Sequence, residues 1–203
     1  MKLSLYWGSA SPFVRKVMVV AHELGLESSI EILDSAAHPV ERDARIKAHN
    51  PLAKVPAALA DDGTKLYDSR VICEYLDAQA QGGLFPVSGP LRWTALRRQA
   101  LADGVLDAAL LIRYETLVRP EAQQWPLWIE KQFEKLADGL DAMAADLPEP
   151  ECHDIGAISC ACALGWLDFR FPDFDWRNGR GALAAWQADF ETRPAMIATR
   201  PSA

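Results

Sequence analysis

In the N-terminal part of the chain, apolar and polar positions switch repeatedly between two periods. Leu3, Leu5 and Trp7 alternate with Lys2, Ser4 and Tyr6, which is the period of a strand. Pro12 then suits the first turn of a helix. Val14, Val17, Met18, Ala21 and Leu24 recur behind it at helical spacing until Gly25. Ser29–Leu33 reads as a second strand and Val40–Ala48 as a charged, weakly amphipathic stretch. A short strand near Val55–Leu59, the turn Asp61-Asp62-Gly63 and a partner strand at Lys65–Tyr67 follow. Val71, Ile72, Tyr75 and Leu76 mark a helix stopped by Gly82-Gly83. The predicted order is βαβαββα. A βαβ crossover gives parallel strands and a tight turn an antiparallel pair, so the sheet is mixed.

Past the connector GGLFPVSGP (82–90), every strong signal is helical. Leu91–Val118 reads as one long helix stopped by Pro120. In the next, Ile129, Phe133, Leu136, Leu140, Met143 and Leu147 alternate steps of four and three, an apolar seam suited to a bundle. Asp154 can cap a helix through Leu167, and Leu183, Trp186 and Phe190 mark a last short one. The expectation is an α/β domain at 1–81, a linker at 82–90 and an all-α domain at 91–203.

The length of 203 residues admits one large domain or two small ones at roughly 100–200 residues each. With a net charge of −7 and no basic run, the chain lacks the footprint of a nucleic-acid or anionic-membrane binder. The longest charge-free run, Ile155–Leu167, suits a buried helix and falls short of the roughly 20 residues a membrane span needs. Cys73, Cys152, Cys160 and Cys162 form no metal-ligand spacing, and no metal is expected. Cys160 and Cys162 fit buried packing. Sparse cysteines and no readable signal peptide set a cytoplasmic location as the expectation.

Three local features suggest chemistry. Ser11 precedes Pro12 at a helix start, where unpaired N–H groups and the positive dipole end favour an anion. In Asn50-Pro51-Leu52-Ala53-Lys54-Val55-Pro56, a cis bond before Pro56 would turn the Val55 backbone outward for strand-like pairing with a peptide. Asp68-Ser69 at the next helix start can meet both charges of an amino-acid head group. Each also has an ordinary reading: an N-cap serine, an edge-strand proline and a capping pair.

Their combination resembles the glutathione transferase family. The segments that carry the resemblance are NPLAKVPA, LYDSRVICEYLD, ALADGVLDAAL and ACALGWLDFRFP. The resemblance implies a thioredoxin-like N-terminal domain, a helical C-terminal domain, glutathione as co-substrate, a homodimer and a role in detoxification. It implies that Ser11 hydrogen-bonds the glutathione sulfur, with Phe13 beside it in the binding set. Val55 next to cis-Pro56 pairs with the cysteinyl unit, Asp68 and Ser69 hold the γ-glutamyl end, and Lys54 with Arg42 or His38 holds the glycyl carboxylate. Asp103 reaches the γ-glutamyl amine of a neighbouring subunit. The acceptor pocket is expected between the domains, with Arg113, Tyr114 and Trp166 as contributors. Ser9 is a rival hydroxyl without a helix-opening proline behind it, and His22 and His153 are read as structural.

Family members with cysteine at the position of Ser11 run thiol transfer, so Ser11-Pro12-Phe13 favours conjugation to a small apolar electrophile. The other readings are a glutathione-dependent isomerase or reductase on the same fold, and a non-catalytic glutathione-binding protein. Family members also carry Ser/Thr-x-x-Asp where this chain has Asp154-Ile155-Gly156-Ala157, keeping a cap acceptor and losing its reciprocal partner.

Overall fold

The computed structural model describes residues 1–201. It divides into two compact units, Met1–Arg92 with the segment from Thr192 onward, and Trp93–Glu191.

The first unit is built on strands β1 (Leu3–Tyr6), β2 (Ile30–Leu33), β3 (Ala57–Ala60) and β4 (Lys65–Leu66), in spatial order β2-β1-β3-β4. β1 pairs with β2 in parallel, Leu3 opposite Ile30, and with β3 antiparallel, Leu3 opposite Ala60. The mixed sheet is the one the period changes predict. Helix α1 (Pro12–Glu23) supplies the crossover between β1 and β2, and α3 (Ser69–Ala80) packs beside α1. Val14, Val17, Val20 and Ala21 of α1, with Ile72, Cys73 and Leu76 of α3, are fully buried with Leu3 and Leu5.

Three departures from the pattern shape the first unit. The stretch read at Val40–Ala48 is helical only at α2 (Ala44–Lys47), where the Asp43 carboxylate accepts the Arg45 N–H at 2.8 Å. Strand β3 starts after Pro56, because proline has no N–H for the ladder. The segment from Thr192 returns to the first unit as a further short helix, α8 (Pro194–Ala198), and lies on α1. There Arg15 donates to the Met196 carbonyl at 3.2 Å, and Arg193 grips Glu23 with two bonds of 3.0 and 2.7 Å.

The connector after α3 folds onto a carboxylate. Buried Asp77 accepts the N–H groups of Leu84 at 2.9 Å and Phe85 at 3.0 Å. Gly82 belongs to the same turn; a Cβ there would sit 2.0 Å from Leu24 Cδ2 and 2.9 Å from Asp77 Oδ1, so a larger residue would push both side chains aside.

The second unit holds most of α4 (Gly89–Leu117), then α5 (Pro126–Ala145), α6 (Ile155–Arg170) and α7 (Gly181–Phe190). Leu136, Leu140 and Met143 of the predicted seam are buried together with Ala102, Val105 and Ala109 of α4. Helix α6 is buried along nearly its whole length, and Asp154 caps it by accepting the Ala157 N–H at 2.9 Å. Cys160 and Cys162 are both buried, and burial pushes the Cys160 thiol up to about 12, which suits packing and not nucleophilic work. No helix among the described residues is long and apolar enough to cross a membrane.

Replacing Asp77 with alanine leaves two buried N–H donors without an acceptor. Asp77→Ala is expected to cost about 3 kcal/mol, read as a lowered urea midpoint. An unchanged midpoint would mean the connector is not anchored there.

Candidate functional site

Local geometry fixes each candidate of the first unit. Ser11 is the N-cap of α1, with an extended backbone and a hydroxyl that accepts the Val14 N–H at 3.3 Å. Pro12 occupies the first helical position, where a missing N–H costs nothing. A hydroxyl accepts two hydrogen bonds and donates one. The cap uses one acceptor position, and the Ser11 proton has no partner among the described residues. Ser9 lies exposed in the preceding turn and caps nothing. Phe13 is half-buried in the first turn of α1, with the ammonium of buried Lys16 5.8 Å from its ring centroid.

The loop before β3 is held by a residue to which the sequence assigned no role. Buried Asn50 donates through Nδ2 to the Lys54 carbonyl at 2.9 Å and accepts the Leu52 N–H on Oδ1 at 3.0 Å. Its own carbonyl accepts the Ala53 N–H at 2.8 Å, and Ala53 takes a φ of 54°, in the left-handed region. The Val55–Pro56 bond is cis. The Val55 side chain packs against Tyr6, Ile46 and Ala57, while its backbone lies outside the β3 ladder. The side chain is therefore anchored and the peptide edge is left open.

Asp68 caps α3. Its carboxylate accepts the Arg70 N–H at 3.0 Å and pairs with the Arg70 guanidinium at 2.7 Å. Arg70 holds the Asp68 carboxyl below its ordinary value, and Lys16 adds a smaller pull. Ser69, in the first turn, is only 2% exposed. Both residues flank the open start of a helix, a natural place for a carboxylate.

Of the basic candidates, Lys54 lies in the loop before β3, and His38 and Arg42 lie in the loop between β2 and α2. A depression of about 490 Å³ there is lined in part by His38, Glu41, Arg42, Asp43 and Arg45. Arg42 donates to the Pro51 carbonyl, and Lys54 is exposed. His38 is occupied within its own turn, its Nδ1 accepting the N–H groups of Glu41 at 3.0 Å and Val40 at 3.3 Å. Arg45 is tied to Asp34 and Asp43, which holds the Asp43 carboxyl well below the usual range. No group of acidic, histidine and cysteine side chains suited to a metal occurs among the described residues.

Two family models match the chain. One described as the N-terminal domain of glutathione S-transferase matches residues 10–79, and one described as its C-terminal domain matches 126–187. The chain belongs to the glutathione S-transferase family. The first match spans Ser11, Val55, Pro56, Asp68 and Ser69. The GST-like protein YibF of Escherichia coli K12 is 30% identical over 98% of both chains. A solved glutathione transferase family member from Pseudomonas fluorescens Pf-5 with bound glutathione is 46% identical over the full length of both chains, with a TM-score of 0.96. A second structure of that relative carries bound S-(propanoic acid)-glutathione and aligns at 45% identity over 99% of this chain and 100% of that one, with a TM-score of 0.91. The first unit is thus the thioredoxin-like domain of the family, and the helical bundle is its C-terminal domain.

In the helical unit the remaining candidates separate. Trp166 is buried against Phe171, with ring centroids 5.9 Å apart, and serves the core. Asp103 is buried on α4, whereas Arg113 is partly exposed and Tyr114 exposed. Burial pushes the Tyr114 phenol up. His153 is exposed and engages the Glu151 carbonyl at 3.1 Å.

Because its folded value is depressed, Asp68 contributes stability above an ordinary carboxyl value of about 3.9, and that contribution is lost as pH falls through the folded value. Arg70→Gln is expected to raise the Asp68 titration midpoint, followed by carboxyl NMR. A midpoint unchanged by the substitution would assign the depression to the helix start alone.

Proposed function

We propose that the chain is a glutathione transferase that holds glutathione as its thiolate and joins the sulfur to a small electrophile. The observation that carries this reading is the Ser11 hydroxyl, fixed at the start of α1 with its proton uncommitted among the described residues. A free thiol with a pKa of about 8.5 is only a few per cent ionised at neutral pH. Lowering that pKa by about two units takes ~2.7 kcal/mol of preference for the thiolate. One hydrogen bond to a charged group contributes about 1.5–3 kcal/mol, and the helix start adds to it. No proton-abstracting base is required.

Around the sulfur, the open Val55 edge pairs with the cysteinyl backbone, while Asp68 and Ser69 hold the γ-glutamyl end. Lys54 and Arg42 take the glycyl carboxylate, and Phe13 lies beside the sulfur end. The bound glutathione of the 46%-identical relative supports this part. The bound S-(propanoic acid)-glutathione of the other structure supports transfer to a short electrophile. In the reaction the sulfur lone pair forms the C–S bond. At a saturated carbon the leaving group departs with its bonding pair. At an activated double bond the π pair moves to the neighbouring carbon, which takes a proton from water.

A reductase of the thiol-transfer kind needs a cysteine where Ser11 stands, and the four cysteines lie at 73, 152, 160 and 162. We place the protein in the cytoplasm as a homodimer through α3 and α4. Leu91 on α4 is 73% exposed and Trp93 67%, apolar surface that a partner subunit would cover.

Titration of bound glutathione by ultraviolet absorbance tests the chemistry. The wild type is expected to hold the thiol about two pKa units below the free value, and Ser11→Ala to return it most of the way while glutathione still binds. A bound thiol whose pKa Ser11→Ala leaves unchanged contradicts the role of Ser11. Absence of any glutathione binding contradicts the reading as a whole.

A further inference from the structure

The cations of α1 are placed against expectation. An amphipathic helix turns its charges to water, and the positive end of a helix dipole disfavours further positive charge. Yet Arg15 is only 4% exposed and Lys16 1%, both in the first turns of α1 between the core residues Val14 and Val17. Burying a guanidinium costs free energy that a methionine at the same place would not. That cost points to a use for the Arg15 side chain where it stands.

What it touches is the segment that returns from Thr192. The Arg15 guanidinium donates to the Met196 carbonyl of α8 at 3.2 Å in a buried contact. Eight residues farther on, at the last position of α1, Glu23 accepts two bonds from Arg193 at 3.0 and 2.7 Å. The two grips lie roughly 12 Å apart along the helix, at 1.5 Å per residue. Both come from residues of the same compact unit as α1. Apolar packing is non-directional, whereas two hydrogen-bonded grips fix both the height and the rotation of a helix.

Ser11 depends on that placement. The Arg15 N–H donates to the Ser11 carbonyl at 3.0 Å, so the gripped residue and the capping serine are joined across one turn. The Ser11 hydroxyl in its turn accepts the Val14 N–H at 3.3 Å. A slide or turn of α1 carries that hydroxyl with it, and a hydrogen bond weakens steeply away from its preferred geometry.

We propose that Arg15 is a positioning residue: tied to α8 through the Met196 carbonyl, it holds the start of α1 where the Ser11 hydroxyl meets the glutathione sulfur. This rests on the transferase reading above and adds the segment from Thr192 to the machinery of the first unit. Arg15 acts through Ser11 and not by its own charge on the sulfur.

The test is ultraviolet titration of bound glutathione in the full chain, in the wild type and in the Ser11→Ala background. Arg15→Met is expected to raise the thiol pKa by about one unit in the wild type and to change it little beside Ser11→Ala. Arg15→Lys, which can still reach a carbonyl, should keep most of the wild-type value. Arg193→Gln should raise the pKa by less than Arg15→Met, again only where Ser11 is present. Affinity for S-methyl glutathione, which has no thiol to ionise, should stay within about twofold in these variants, whereas general damage to the fold would lower it. A depressed thiol pKa that a folded Arg15→Met leaves unchanged overturns the proposal and spares the transferase reading. A rise of equal size in the Ser11→Ala background also overturns it, because the arginine would then act on the sulfur directly. Where Arg15→Met does not fold, Arg193→Gln decides: a rise that needs Ser11 supports the proposal and no rise overturns it. Glutathione that fails to bind the wild type, or binds with an undepressed thiol, overturns the transferase reading and this proposal with it.

Discussion

The proposed site depends first on the start of α1. Its first N–H groups have no partners inside the helix, and the chain answers with one hydroxyl, Ser11, which accepts the Val14 N–H at 3.3 Å. The cap leaves the oxygen with a proton to give and keeps it beside the positive end of the helix. On the proposed reading, the same constraint that caps the helix serves a negatively charged sulfur. The helix behind it is firmly placed. Its valines fill the core of the first unit, and α8 holds its far side through Arg15 to Met196 and Glu23 to Arg193.

The second element of the site works by a different division of labour. Asn50 satisfies the polar groups of its loop from within, so the chain can carry an open peptide edge at Val55 without a buried unpaired group. Val55 gives its side chain to the core around Tyr6 and Ile46 and keeps its backbone out of the ladder. At α3, Asp68 both caps the helix and binds Arg70, so its charge is set before any ligand arrives. Each of these positions is first a solution to a folding problem, and the proposed chemistry uses that solution.

Period changes made the fold legible. Leu3 and Leu5 in β1, the valines of α1 and the seam from Leu136 to Met143 all lie where their spacing puts them. The helix caps at Ser11, Asp68 and Asp154 were readable for the same reason, since residue type and position suffice for a cap. Three things were not. The role of Asn50 depends on a side chain folding back over its own loop, and asparagine before proline signals only a turn. The return of α8 to α1 depends on contacts between residues far apart in sequence. The anchoring of the connector on Asp77 depends on a carboxylate that reaches backbone N–H groups seven and eight residues farther on.

A crystal structure of this protein grown with glutathione tests the central claim most directly. The account predicts the sulfur within hydrogen-bonding distance of Ser11 Oγ, at roughly 3.5 Å or less, with the cysteinyl backbone paired to Val55. A sulfur held by Ser9 or turned away from the start of α1, or a glutathione bound without the Val55 edge, would contradict it.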